Sequence, residues 1–132
     1  MVSSGGGFRK LMEAFDLERC GNATMSLAIA QATLDYVVQY VQERKQVRQA
    51  PHRFSGGTDY ASRTWRSRSE AARLHDLPQA VWSASEGLPS VKHSSIAKCF
   101  ANEMVREVAG NELQLMGAYG YSKEFPSEQR LR

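Results

Sequence analysis

A long stretch with the spacing of a bundle helix dominates this sequence, from Phe15 to Gln46. Its apolar residues recur at alternating steps of four and three, which places them on one stripe of a helix. The residues on this stripe are Ala23, Leu27, Ala30, Leu34, Val37 and Val41. Asp35, Gln39 and Gln42 fall off the stripe, as expected for the solvated side. The pattern predicts one long helix with a single buried face.

The residues before this stretch predict a flexible linker and a short turn that are separate from the long helix. Residues 1–7 end in three glycines and are expected to form a flexible linker, followed by a short helical turn that packs Leu11 and Phe15. Asp16 is a plausible N-cap of the long helix, because its side chain can accept from a free backbone N–H. Small residues within the helix would let a neighbouring helix approach closely; they are Ala28, Ala30 and Ala32.

A second helix is predicted from Val91 to about Leu115. Pro89 ends the element before it, and Ser90 can cap its first turn. The apolar residues that share its face are Ala97, Ala101, Met104, Val108 and Leu115. Gly117 is expected to end this helix, and Pro126 to lie near the first turn of another.

The segment between these helices, residues 47–82, has no helical stripe. It is rich in turn formers, and six arginines but only two acidic residues lie between Arg48 and Arg73. Arginines interleaved with Tyr60, Trp65 and Trp82 would suit a nucleic-acid surface, in which guanidinium groups bind phosphate and rings stack on bases. A basic nucleic-acid-binding module is therefore one alternative function.

Composition argues against disulfide-bonded, membrane-spanning, secreted and metal-binding proteins. Cys20 and Cys99 lie in helix-patterned apolar surroundings, so buried reduced thiols and a cytoplasmic protein are expected rather than a disulfide. No apolar run approaches membrane-spanning length, and the start of the chain does not have the pattern of a signal peptide. The three histidines have no cysteine or acidic partners at ligand spacing, so no metal site is expected.

Both predicted helices resemble the C-terminal helical domain of acyl-CoA dehydrogenases. The segments that carry the resemblance are Phe15–Arg19, Tyr40–Gln46, Ser95–Ala101, Gln114–Tyr121 and Glu124–Pro126. The resemblance implies an all-α fold, an up-down bundle of the four-helix type, formed by residues 8–132 and incomplete. It also implies that the chain corresponds to a piece of the whole protein, since the family places a β-sheet domain before these helices.

The function implied by this resemblance is FAD-dependent α,β-dehydrogenation of an acyl-CoA, in which a carboxylate removes the α-proton of the thioester. Glu18 matches the base position of the isovaleryl and long-chain types. Asp16 and Arg19 match positions that line the acyl-CoA site. The residues alone favour a simpler interpretation, in which Glu18 is a favourable acid in the first turn of a helix, Asp16 a cap and Arg19 a solvated or paired cation.

The resemblance also implies cofactor contacts. Arg44 and Gln46 match the helix end where an arginine reaches the FAD pyrophosphate of a neighbouring subunit, and a planar guanidinium suits a diphosphate because it donates bidentately. The backbone near the adenine end of FAD is matched by Gln114, Leu115, Met116, Gly117 and Ala118. Ala118 replaces the family's second glycine, and the Phe-Gly that should follow Gln46 is missing. An ordinary charged helix end and a glycine C-cap are the alternative interpretations.

The missing motif suggests a hypothesis about residues 47–82. Bases that can encode Val47 to Pro51 would encode Phe-Gly-Lys-Pro, the family's motif, when read one nucleotide later. Compensated frame slips would then have rewritten much of the segment between Val47 and Pro78. A shifted frame also produces excess arginine, so we expect no nucleic-acid partner. Resequencing the coding DNA tests the hypothesis, and a clean frame with strong codon bias would contradict it.

The resemblance finally implies a homo-oligomer, a dimer or a tetramer, and an electron-transfer partner. We expect little or no activity from this chain alone, because the thioester and the flavin ring are positioned by several domains. A non-catalytic helical oligomerisation module is the other alternative. Such a module would associate in a concentration-dependent way without binding flavin.

Overall fold

The computed structural model describes residues 6–44, 57–84 and 87–131, apart from the side chains of residues 57–62 and 75. Its helices are α1 (Gly6–Glu43), α2 (Gly57–Ala71), α3 (Leu77–Trp82), α4 (Val91–Met116) and α5 (Ser127–Leu131). A π-helical turn, Ala72–Asp76, joins α2 to α3, and a 3₁₀ turn, Gly117–Tyr121, follows α4. Every element within the described ranges is helical, which confirms the predicted all-α fold class.

The two long helices, α1 and α4, form the most extensive contact and run parallel. Ser26 donates a hydrogen bond of 2.6 Å to Asn102, and farther along both segments the Arg44 side chain lies over the Tyr119 ring. The connection between them runs the other way, because Ser69 contacts Met104, whereas Ala80 packs beside Ala97 and Ala101. The chain therefore runs up, down and up again, as an up-down bundle requires.

The predicted apolar stripes of α1 and α4 form the core. The buried residues of the larger cluster are Ala30, Leu34, Val37, Trp65, Ala72, Met104 and Val108. Leu27, Val41 and Leu115 pack against it from partly buried positions. A second cluster contains only small buried residues, namely Ala23, Ala80, Ala97 and Ala101. Each fully buried aliphatic side chain such as Leu34 contributes about 1.5–3 kcal/mol, so these stripes supply much of the stabilisation.

The start of α1 differs from the prediction. The helix begins at Gly6, so Gly6 and Gly7 belong to it and no separate turn precedes Phe15. Proline is absent between Gly6 and Phe15, and Arg9 pairs with Glu13 at 3.0 Å one helical turn apart. Leu11 and Phe15 are exposed rather than packed, because this first part of α1 extends beyond the core clusters.

Three finer predictions about side chains were wrong. Asp16 is not an N-cap, because α1 begins ten residues earlier and Asp16 is buried within it. Of the small residues in α1, Ala30 faces the core but Ala28 and Ala32 are exposed. Cys20 is partly buried and Cys99 is exposed, although both are free thiols as predicted.

The described part of the middle segment, residues 57–82, is helical although the sequence showed no stripe there. Its buried side chains are Trp65, Ser69, Ala72 and Ala80, which recur at helical spacing although only one of them is large. Pro78 has no N–H to donate, and the π-helical turn before α3 absorbs this break, with the Leu77 N–H bonded to the Ala72 carbonyl. Residues 45–56 lie outside the described residues, and the frame-slip hypothesis stays a prediction.

The predicted ends of α4 are confirmed. Ser90 caps its start, with the hydroxyl oxygen accepting from the His93 N–H at 3.4 Å. Gly117 ends it with φ of 60°, a value that favours glycine. Pro126 directly precedes α5, whose Arg130 N–H bonds to its carbonyl at 3.2 Å. Among the described helices, none combines the length and the apolar character needed to cross a membrane.

Candidate functional site

A cavity of ≈ 230 Å³ lies beside the first halves of α1 and α4. Its lining residues are Phe15, Glu18, Arg19, Asn22 and Lys98. The four residues from α1 share one face because they recur at steps of three and four. The cavity therefore brings together Glu18 and Arg19, two of the three residues predicted for catalysis and substrate binding.

The third predicted residue, Asp16, does not line this cavity but pairs with Arg19, which does. Its buried carboxylate accepts a hydrogen bond from the Arg19 guanidinium, one helical turn away, in an ion pair. The pair fixes the cation at the cavity wall, because the buried carboxylate has little freedom to move. Burial, together with the Asp16 charge, raises the pKa of the Cys20 thiol, which therefore stays protonated at neutral pH.

The remaining polar groups of this cavity are available to a ligand. Glu18 is exposed, whereas Asn22 and Lys98 are half-buried. Within the described residues, these three side chains make no hydrogen bond or ion pair. Lys98 was missed as a site residue, although it stands within the Ser95–Ala101 segment that carries part of the family resemblance. The cavity thus combines one free carboxylate with two cations.

A second cavity, of ≈ 240 Å³, lies where α1 ends and α4 passes into the 3₁₀ turn. Tyr40, Arg44 and Tyr119 line it together with all five residues predicted for the adenine end of the cofactor, namely Gln114, Leu115, Met116, Gly117 and Ala118. These residues meet because α1 and α4 run parallel and end at the same side of the bundle. The remaining predicted cofactor residue, Gln46, lies outside the described residues.

The five predicted residues from α4 and its turn differ in what they expose. Gln114, Gly117 and Ala118 are exposed at the cavity. Leu115 packs against the larger core cluster, and Met116 is buried, with its sulfur 2.7 Å from the Ser127 hydroxyl oxygen. The first three can therefore offer side chain or backbone to a ligand, whereas Leu115 and Met116 chiefly anchor the segment.

Arg44 is held by an aromatic ring at this cavity. Its guanidinium carbon lies 4.4 Å from the centroid of the Tyr119 ring, and the phenol raises the pKa of Arg44. Tyr119 in turn packs edge-on against Phe125, with 5.4 Å between ring centroids. An adjoining cavity of ≈ 320 Å³, lined by Tyr36, Gln39, Tyr40, Glu43, Arg44 and Phe125, lies on the other side of Arg44.

A buried carboxylate near the second cavity was not predicted from the sequence. Glu112 is 0% exposed, and its Oε1 accepts from the Ser127 hydroxyl at 2.8 Å and from Arg130 at 2.9 Å. Its Oε2 and the Thr33 hydroxyl are buried without a hydrogen bond of normal geometry. Burial raises the pKa of Glu112, and its contacts with Ser127, Arg130 and the nearby Thr33 offset only part of this rise.

Arg130, the cationic partner of this carboxylate, also lies 5.1 Å over the Tyr36 ring. One arginine of α5 therefore contacts both long helices. The cluster ties α5 to the end of the bundle that carries the second cavity.

Comparison with protein families identifies the family to which the residues of these two cavities belong. Residues 5–132 match the family model described as "Acyl-CoA dehydrogenase, C-terminal domain". The chain belongs to the acyl-CoA dehydrogenase family. The bounds of the family match include residues 47–82 and the residues that line both cavities.

Individual members of the acyl-CoA dehydrogenase family are similar at about one third identity. An acyl-CoA dehydrogenase of Bacillus subtilis is 34% identical over 128 residues, and a 3-sulfinopropanoyl-CoA desulfinase of Cupriavidus necator is 33% identical over 126. The structure of butyryl-CoA dehydrogenase from Megasphaera elsdenii superposes with a TM-score of 0.88 at 31% identity. These matches cover 96–97% of this chain but only 31–33% of each relative.

Proposed function

We propose that this chain supplies the base and the cofactor-contacting helix end of an FAD-dependent acyl-CoA dehydrogenase. The observation that carries the proposal is the gathering of the family's functional positions into two cavities at opposite ends of α1. At the second cavity, Arg44 meets residues 114–118, which are distant from it in sequence, and this combination is the one that the resemblance implies.

The first cavity suits removal of a proton from an acyl thioester. Glu18 is the free carboxylate that would accept the α-proton, and an electron-withdrawing thioester makes that proton acidic enough for a carboxylate base. Arg19, fixed by Asp16, and Lys98 would attract the anionic groups of an acyl-CoA. The β-hydrogen would leave as a hydride, for which FAD supplies the acceptor.

The second cavity suits the diphosphate and adenosine part of FAD. Arg44 offers a planar guanidinium, the donor that matches a diphosphate best, and Gln114 offers an amide. A Cβ added at Gly117 would meet no heavy atom within 4 Å, so the turn leaves open space beside the backbone. These features fit a dinucleotide that approaches the 3₁₀ turn closely.

The two cavities are too far apart to hold one cofactor. Glu18 and Arg44 lie near opposite ends of α1, and a rise of about 1.5 Å per residue separates them by roughly 39 Å. A single FAD molecule with its flavin ring at Glu18 is shorter than this distance. Arg44 would therefore contact the FAD of a neighbouring subunit, and the proposed enzyme is a homo-oligomer in which each site needs two chains.

The substrate class follows from the relatives. The names of the three similar proteins all refer to a CoA thioester, although one of them is a desulfinase rather than a dehydrogenase. An acyl-CoA is therefore the proposed substrate, and dehydrogenation is the proposed reaction. Because one similar protein is a desulfinase, a test of dehydrogenation must also measure the loss of a sulfinate group.

Titration of the chain with FAD tests the cofactor half of the proposal. Replacement Arg44→Ala removes charge-assisted hydrogen bonds to the diphosphate and is expected to weaken binding by about 10- to 150-fold. The matched control Glu18→Gln, at the far end of α1, should change the affinity by less than about twofold. The readout is quenching of flavin fluorescence. Concentration-dependent association without any flavin binding would instead support the non-catalytic oligomerisation module.

The chain alone is expected to show little or no dehydrogenation. Glu18 is exposed to water in this chain, whereas a base for this reaction works best in a dry pocket, where burial raises its proton affinity. The measurement is anaerobic bleaching of flavin absorbance after addition of short acyl-CoAs. Clear bleaching by this chain would show that the two cavities are sufficient for catalysis.

A further inference from the structure

The contact between Arg44 and Tyr119 suggests a specific role for the tyrosine. Arg44 follows α1 directly, where its backbone N–H still bonds to the Tyr40 carbonyl at 2.9 Å. Its long side chain would otherwise sample many rotamers at the end of a helix. The guanidinium instead lies over the Tyr119 ring, 4.4 Å from the centroid, within the range of a cation–π interaction.

Tyr119 is itself held in place. It belongs to the 3₁₀ turn Gly117–Tyr121, and its ring makes an edge-to-face contact with Phe125 at an interplanar angle of 74°. Gly120, in the same turn, is buried so closely that an added Cβ would lie 3.0 Å from the Leu113 backbone. The turn is therefore packed on α4, and Phe125 supports the ring that the turn presents to Arg44.

The contact leaves most of the hydrogen-bonding groups of Arg44 available. Hydrogen bonding with the Tyr119 phenol raises the pKa of Arg44, but a guanidinium carries five N–H donors, so several can still reach a ligand. Tyr119 and Arg44 both line the cavity that contains Gln114, Gly117 and Ala118. An arginine fixed in this way pays less conformational entropy when it binds a diphosphate than a mobile one does.

We propose that Tyr119 is a positioning residue, whose ring holds the Arg44 guanidinium ready for the diphosphate of a nucleotide cofactor. This inference rests on the proposed function for the identity of the ligand. The opposite arrangement, in which Tyr119 competes with the ligand for Arg44, predicts an effect of opposite sign. The two are separated by experiment.

The first measurement is made on the full chain without ligand. The Nε–H proton of Arg44, observed by nuclear magnetic resonance, is expected to be shifted upfield by the Tyr119 ring. Replacement Tyr119→Phe should keep this shift because it keeps the ring, and Tyr119→Leu should abolish it. Tyr121, which is 75% exposed in the same turn, provides the control Tyr121→Leu, which should keep the shift.

The second measurement is the affinity of the same variants for ADP, which carries the diphosphate and adenosine of the cofactor. Tyr119→Leu is expected to bind about two- to fivefold more weakly, and Tyr119→Phe and Tyr121→Leu as tightly as the unaltered chain. Unchanged or stronger binding by Tyr119→Leu would overturn the positioning role. ADP binding without the upfield shift of the Arg44 Nε–H resonance would also overturn the positioning role, but it would leave the proposed function standing. An upfield shift without ADP binding would overturn the proposed cofactor site, and with it any role for Tyr119 at a diphosphate.

Discussion

Replacement of Trp65 by alanine is expected to lower the free energy of unfolding by about 3–5 kcal/mol, a large part of the total for a domain of this size. Trp65 is 3% exposed and packs in the larger core cluster beside residues of α1 and α4. Its removal would leave a cavity that the surrounding helices cannot fully close. Chemical denaturation followed by circular dichroism measures the change.

The chain contains its own control for this experiment. Trp82, at the end of α3, is 75% exposed, so Trp82→Ala should change the free energy of unfolding by no more than about 0.5 kcal/mol. The comparison tests whether the middle segment belongs to the bundle. Equal effects of the two replacements would mean that Trp65 is not in the core and that α2 does not pack as described.

Replacement of Arg130 by methionine should be the second severe change, costing about 3 kcal/mol at neutral pH, near the lower end for a broken buried ion pair. It leaves the Glu112 carboxylate, which is 0% exposed, without its cationic partner. We expect a destabilisation near the lower end of the range because the Arg130 side chain is 21% exposed, so water can reach the site near the end of α5. Denaturation at neutral pH measures the loss.

The pH dependence of this loss identifies its cause. Burial raises the pKa of Glu112 above its ordinary value of 4.5, so between that value and the raised one the folded chain binds a proton that the unfolded chain has released. This contribution to stability is complete below pH 4.5 and disappears as the pH rises through the folded pKa. Arg130→Met should therefore cost little in acid and most at neutral pH, whereas Glu112→Gln should flatten the profile.

A double replacement supplies the matched control. Glu112→Leu combined with Arg130→Met removes both charges and keeps the volume, and such exchanges are often neutral or stabilising by about 1–4 kcal/mol. The double variant is expected to recover the stability that the single change loses. A stable Arg130→Met variant at neutral pH would show that Glu112 reaches water or another partner and that the pair does not hold α5.

Much of the bundle could be predicted because α1 and α4 display large apolar residues at regular spacing. The ends of α4 were also readable, since Ser90 and Gly117 are residues whose chemistry suits a helix cap. The positions that match the family's functional residues could also be read from the sequence, because they lie in short recognisable runs around Glu18 and Gln114. What the sequence did not show was that they would gather in two cavities, which depends on the parallel packing of α1 and α4.

The missed features are those in which tertiary packing overrides local pattern. The buried face of the middle segment consists of Trp65, Ser69 and two alanines, and such small residues do not form a recognisable apolar stripe. Glu112 was not singled out because a glutamate in a helix is ordinarily solvated, and its burial is made tolerable by Ser127 and Arg130, which lie later in the chain. The N-cap assigned to Asp16 failed because helix propensity carried α1 back to Gly6.

We conclude that this chain folds as the helical domain of its family with α2 in the core, and this packing forms the two cavities that hold the residues of the proposed function. Urea denaturation of the variant Trp82→Phe tests this most directly, because Trp65 is then the sole tryptophan. The account predicts one cooperative transition, with the same midpoint for tryptophan fluorescence and for far-ultraviolet circular dichroism. A tryptophan already exposed to water without urea, or helix loss without a cooperative transition, would contradict it.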